Sequence, residues 1–163
     1  MTSAAAKPAA TRELTITRVY DAPRALVFKM WIDPKHLAQW WGPKMFTNPV
    51  CEIDARVGGR IWIVMHGPKG SDYDIDFPMS GVFHEVVEPE RLVFTAVAED
   101  KDGNPLLTSH TTVTFEDQGG KTKLTMHAKA VGIAPNAPQM LAGMEAGWNG
   151  SLDKLAEQLV RGA

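Results

Sequence analysis

Met140, Met144, Trp148, Leu152, Leu155 and Leu159 recur every three or four residues between Asn136 and Val160. That spacing puts them on one face of a helix. A continuous helix over this segment would be roughly 37 Å long. Almost everything before it reads as short strands, so its apolar stripe must lie across an antiparallel sheet. The upper half of the stripe is Met and Trp, with Gly143 and Gly147 beside them. Methionine fills irregular space and glycine fills none, so this half is expected to roof a pocket.

The sheet is legible from its punctuation. Thr11 to Tyr20 alternates apolar and polar positions and predicts a first strand. Asp21 is a candidate cap for a helix that contains Pro23 and runs through Trp31. Asp33 and Pro34 open a second short helix that Gly42-Pro43 stops after Trp41. Six further strands are expected: 50–55, 60–66, 79–87, 91–98, 107–116 and 121–130. They are separated by Gly58-Gly59, the turn-rich GPKGSDYDIDFP, Glu88-Pro89-Glu90, DKDGNP and Asp117-Gln118-Gly119-Gly120. Short turns between closely spaced strands argue for an antiparallel meander. The fold class is therefore α+β: strand, two short helices, six strands, long helix. Residues 1–10 read as a disordered tail and 11–163 as a single domain.

Composition excludes several classes. With 17 Lys and Arg against 19 Asp and Glu, a net charge of -2 and no basic cluster, nucleic acid is not an expected partner. No apolar run approaches the 18 or more residues of a membrane helix, so no membrane partner is expected either. The first residues, MTSAAAKPAATR, have no apolar stretch of the secretory type. Cys51 is the single cysteine, which excludes an internal disulfide and fits a reducing compartment. The expected location is cytoplasmic.

The words VYDAPRALVFKMWIDPKHLAQWWGP, VGGRIWIVMHGPKG, GVFHEVVEPERLVF, VTFEDQGGKTKLTM and GWNGSLDKLAEQL follow one another over about residues 12–160. In this order they resemble the SRPBCC superfamily, also called START-like or birch-pollen-allergen-like. The branch is that of the activator of heat-shock ATPase homologue. The resemblance implies the helix-grip fold, a curved seven-stranded antiparallel sheet wrapped around the last helix with a cavity between them. Two departures are visible: the loop after Gly70 is lengthened by SDYDI, and Trp62 stands where a charged or polar residue is expected. The superfamily carries many functions on one scaffold, so fold does not fix chemistry here.

In the strand 60–66, Ile61, Ile63 and Met65 share one face, which by the family pattern looks at the last helix; Trp62 and Val64 share the other. The expected ligand-binding wall is drawn from Trp41, Ile61, Met65, Phe83, Met140, Met144 and Trp148. Trp40 and Trp41 either plug the gap between small helices and sheet or, for Trp41, line the pocket mouth. Trp62 and Val64 are expected on the outside, as isolated surface residues or as the contact of a two-fold homodimer.

No catalytic set is expected. His36, His66, His84, His110 and His127 form no HxH, HExxH or Cys-His spacing, so no metal is expected. Strand pairing could bring His66 near His84, or His110 near His127. Asp72, Asp74 and Asp76 lack the glycine and glutamate of a calcium loop and read as a solvated loop. No serine has a GxSxG context, Cys51 reads as an inert thiol, and Gly58-Gly59 has no nucleotide-binding context, so no cofactor is expected. Glu85 is the carboxylate to watch as an acid or base, with an arginine partner as the ordinary alternative. Three functions follow. The leading one is non-enzymatic binding of a small hydrophobic or amphipathic molecule. The alternative is a co-chaperone-like module of the stress response that activates a heat-shock ATPase partner. The third is a cyclase- or dehydratase-type enzyme using a pocket His or Glu.

Overall fold

The structure is a computed structural model and describes residues 10–161. The expected tail lies outside them, except for Ala10, which is the first residue of a strand. The elements in chain order are β1 (Ala10–Tyr20), α1 (Arg24–Ile32), α2 (Pro34–Trp40), β2 (Thr47–Ile53), β3 (Arg60–His66), β4 (Asp76–Val87), β5 (Arg91–Glu99), β6 (Pro105–Gln118), β7 (Lys121–Gly132), α3 (Ala137–Ala142) and α4 (Met144–Val160). The strands form one antiparallel sheet in the order β1-β7-β6-β5-β4-β3-β2. This open, curved sheet with helices on its inner face is the helix-grip arrangement.

Strand composition explains the burial. Along β7, Thr122, Leu124, Met126, Ala128 and Ala130 are buried at every second position and Gly132 follows them. The opposite face carries Lys and Thr. The core is completed by α1, which sends Val27, Phe28, Met30 and Trp31 onto the sheet. Phe28 meets Phe115 of β6 edge-on at 5.2 Å. Asp33 caps α2, accepting from the Lys35 amide at 3.0 Å, and Pro34 occupies its first turn. Asp21 does not cap α1. Pro23 holds the cap position with no side-chain bond, because proline's fixed φ already suits the start of a helix.

The last helix is not continuous. Gly143 ends the six-residue α3 and α4 begins at Met144. Ala137 of α3 packs so closely on β7 that a Cβ at Gly132 would sit 2.2 Å from the Ala137 side chain. Glycine, a poor helix former, stands at the junction between α3 and α4. The gripping helix is therefore α4 alone, about 25 Å long. Its lower half, Leu152 and Leu155, is fully buried.

Three side chains of β1 hold α4. The Tyr20 hydroxyl donates to the Leu152 carbonyl at 3.1 Å. Burial pushes that hydroxyl's pKa up, the Tyr20 phenol losing water on its apolar site. Arg18 pairs with Asp153 at 2.9 Å and donates to Asn149, while Arg12 pairs with Glu145 at 3.0 Å. The Arg18 guanidinium holds the Asp153 carboxyl below the usual carboxylate range.

Trp62 and Val64 share the face away from the helices, where Trp62 is half-buried and Val64 buried. The Arg60 guanidinium lies 5.6 Å from the centre of the Trp62 ring, and Val64 is only 9% exposed. No helix among the described residues is long and apolar enough to cross a membrane.

Candidate functional site

Between the sheet and α3–α4 lies a cavity of about 280 Å³. Its roof is Met140, Leu141, Met144, Gly147 and Trp148. Its floor is a lattice of small side chains. Ala96 of β5, Ser109 of β6 and Ala130 of β7 stand opposite one another in register. Further in, Phe94, Thr111 and Ala128 form the next row. Ala98 and Leu107 lie on the other side of the first row. Three alanines leave empty the space that larger strand residues would fill. Glu99 and the exposed Gly143 are among the walls, so the cavity reaches the surface.

One side wall is the loop Trp41–Pro43, and α4 holds it by its carbonyls. The Ser151 hydroxyl donates to the Gly42 carbonyl at 2.8 Å. The Lys154 ammonium donates to the Pro43 carbonyl at 3.0 Å and the Trp41 carbonyl at 3.5 Å. The Asn48 amide donates to the Trp41 carbonyl at 2.9 Å. Burial pushes the Lys154 pKa down, the ammonium having given up water for carbonyls. Gly42 has φ +91°, a conformation that favours glycine, and a Cβ there would push on the flexible Met65 side chain, 2.7 Å from its sulfur. Gly150 serves the same loop: a Cβ would come within 3.2 Å of the Lys44 amide. So held, the Trp41 ring meets Trp148 edge-on at 5.3 Å, and Trp148 in turn stacks on Trp31 at 6.2 Å.

The structure brings Trp41, Met65, Met140, Met144 and Trp148 together around this cavity. Ile61 and Phe83 are not there. Both are 3% exposed and line a separate void of about 10 Å³ deeper in the core. Trp41, Met79 and Phe94 line both spaces and form the partition. Trp40 is fully buried and its indole donates to the Met30 carbonyl at 3.0 Å, so of the tandem tryptophans one plugs and one lines.

The family model described as activator of Hsp90 ATPase homolog 1-like protein, AHSA1, matches residues 21–159. The chain belongs to the AHSA1 family. That family lies within the SRPBCC superfamily. A Chromobacterium violaceum protein of solved structure is 27% identical, with a TM-score of 0.75 over 90% of this chain and 95% of that one. A Mycobacterium smegmatis protein is 28% identical, with a TM-score of 0.72 over 90% of each chain. An AHSA1 protein from Silicibacter pomeroyi is 25% identical, with a TM-score of 0.75 over 93% of this chain and 100% of that one. No curated protein matches the chain.

In this AHSA1-family chain the titratable groups singled out above lie away from the cavity. His66 sits between Asp76 at 2.8 Å and Asp74 at 2.7 Å. The histidines that approach each other are His84 and His110, stacked at 6.5 Å, rather than the pairs expected from the strand order. The bulge between Phe83 and Glu85 puts His84 on the outer face, beside Thr95 and His110. His127 bonds to Glu13 of β1 instead. Glu85 accepts from Arg91 at 3.1 Å and is exposed, the ordinary fate of such a carboxylate. Burial pushes the Cys51 thiol up to about 11, which keeps it protonated and unreactive at neutral pH. Among the described residues no three His, Cys, Asp or Glu side chains are grouped as metal ligands.

Sequence reasoning missed the floor. Its signal was present: alanines at alternate positions in VFTAVAE and MHAKAV are poor strand formers. They occupy positions where the pattern calls for large apolar side chains.

Proposed function

We propose that this protein binds a small hydrophobic or amphipathic molecule in the cavity between sheet and C-terminal helices, without catalysing a reaction on it. The cavity carries the reading. Protein interiors normally pack without voids, and about 280 Å³ walled by Trp, Met, Phe and Ala is far more than packing error leaves. An apolar cavity of roughly 150 Å³ takes a benzene, so this one suits a molecule about twice that size. Among the described residues Glu99 is the single titratable wall residue, which supports binding over acid–base chemistry. The SRPBCC fold commonly houses hydrophobic ligands, in agreement. Native mass spectrometry of the purified protein, with titration of an apolar fluorophore, tests the proposal. Saturable binding lost in Trp148→Ala/Met144→Ala supports it; saturable binding unchanged in that variant places the site elsewhere.

The family's description names an ATPase activator, and a protein-partner role is the second reading. Such a module needs an apolar docking patch and no open cavity. Arg60 over Trp62 and the burial of Val64 leave the outer face less to offer a chaperone or a second copy than the sequence suggests. Sedimentation of the wild type and of Trp62→Glu tests self-association through that face.

A further inference from the structure

Resting on the ligand-binding reading, the geometry points to the chemical class of the ligand. We propose that it is an uncharged apolar molecule carrying one hydrogen-bonding group, such as a phenol, alcohol or ketone, held by Thr111 and Ser109, and that carboxylates are rejected.

The argument begins with the hydroxyls on the cavity face. Ser151 is already committed to the Gly42 carbonyl. On β6, Ser109 and Thr111 are both among the cavity walls, so their hydroxyls are open to a ligand. Thr111 is 1% exposed. A hydroxyl on an apolar wall gains from a hydrogen bond, and a ligand oxygen or N–H would supply one. A hydroxyl both donates and accepts, so it takes either sense of bond. Two positions apart on one strand, Thr111 and Ser109 face the same way, one in the Phe94 row and one among the alanines.

Charge then narrows the class. Among the described residues no Lys, Arg or His is a cavity wall, and the one charge there is the Glu99 carboxylate. Glu99 takes part in no ion pair among the described residues. An anionic ligand would lose its hydration, find no cation, and meet a like charge. A neutral ligand avoids all three penalties.

The test compares naphthalene, 2-naphthol and 2-naphthoate at pH 7, where the naphthol is neutral and the carboxylate ionised. Binding is followed by calorimetry and by the emission of the cavity tryptophans. The naphthol should bind about 3- to 10-fold tighter than naphthalene, as one added hydrogen bond implies. The naphthoate should bind at least about 10-fold weaker than the naphthol and recover affinity in Glu99→Gln. Thr111→Val keeps the side chain's shape and should erase the naphthol's advantage over naphthalene. Ser109→Ala, nearer the surface, should reduce the advantage. Naphthalene binding also reports that each variant is folded. Equal affinity for naphthalene and naphthol, or naphthoate binding as tight as naphthol, overturns this inference and leaves the apolar cavity standing. If none of the three probes binds, the cavity reading falls and the inference with it.

Discussion

Ser151 and Gly42 lie 109 positions apart, yet the serine hydroxyl on α4 donates to the glycine carbonyl at 2.8 Å in a buried setting. Through that bond the gripping helix sets the position of the neighbouring Trp41 ring, and hence of the wall between cavity and core. Ser151→Ala leaves the Gly42 carbonyl without its partner. It should lower stability by about 1–3 kcal/mol. It should also shift the intrinsic tryptophan emission, because Trp41 and Trp148 are in edge-to-face contact. Urea unfolding followed by fluorescence measures both. An unchanged midpoint and spectrum would mean the loop is held by Lys154 and Asn48 alone.

Leu155→Ala removes a fully buried side chain from the closed half of α4. The loss should be about 2–5 kcal/mol, since the sheet beneath can relax only partly into the space. A midpoint within error of the wild type would show that this half of the helix is not core.

The glycines of α4 and its junction should answer differently to one substitution. At Gly143 a Cβ meets nothing closer than 3.8 Å and φ is -89°, so Gly143→Ala should be neutral or stabilise by up to about 1 kcal/mol. At Gly150 the added methyl group crowds the Lys44 backbone, so Gly150→Ala should destabilise. Thermal melts of the two variants should move in opposite directions or leave Gly143→Ala unmoved; the reverse order would contradict the loop packing.

The loop between β3 and β4 should be latched over a defined pH range. Hydrogen bonds from His66 to Asp76 and Asp74 raise the His66 pKa above its ordinary 6.5. The Gly70 amide and then His66 hold the Asp74 pKa below its ordinary 3.8. A raised histidine contributes fully below the unfolded pKa and loses its contribution as pH rises through the raised value. A lowered carboxylate contributes above its unfolded pKa and loses its contribution as pH falls through the depressed value. The latch is therefore complete between about pH 4 and 6.5 and opens at either side. NMR titration of the His66 ring should give a midpoint above 6.5 that falls in Asp76→Asn. A midpoint at or below 6.5 in the wild type would dismiss the latch.

How far the sequence speaks depends on whether a feature is local. Arg60–His66 shows its bounds because Gly59 opens it and Gly67 closes it. Asp33-Pro34 announces α2 by cap chemistry alone. The break at Gly143 does not show in the pattern: Met140, Met144 and Trp148 keep the helical spacing across it, while Ala137 of α3 packs against Gly132 of β7. The face pattern admits Ile61 and Phe83 among the residues from which the cavity wall is drawn. Alternation tells which side of a sheet a residue is on, not how far along it lies, and these two fall beneath Trp41. The His84–His110 contact depends on the bulge at Phe83, which shifts the register by one position that no spacing reveals.

The pairing of β1 with β7 also has a consequence for how the molecule comes into being. Strands β2 to β7 join by short hairpins and can zip in the order in which they leave the ribosome. β1 emerges first but can pair only with the last strand, and its Arg18 waits 135 positions for Asp153. Closure is thus a late event of high contact order, and such events are slow. Until β6 and α4 are in place, Trp31 of α1 lacks the Phe115 and Trp148 rings it packs against, and its apolar face has nothing to cover it.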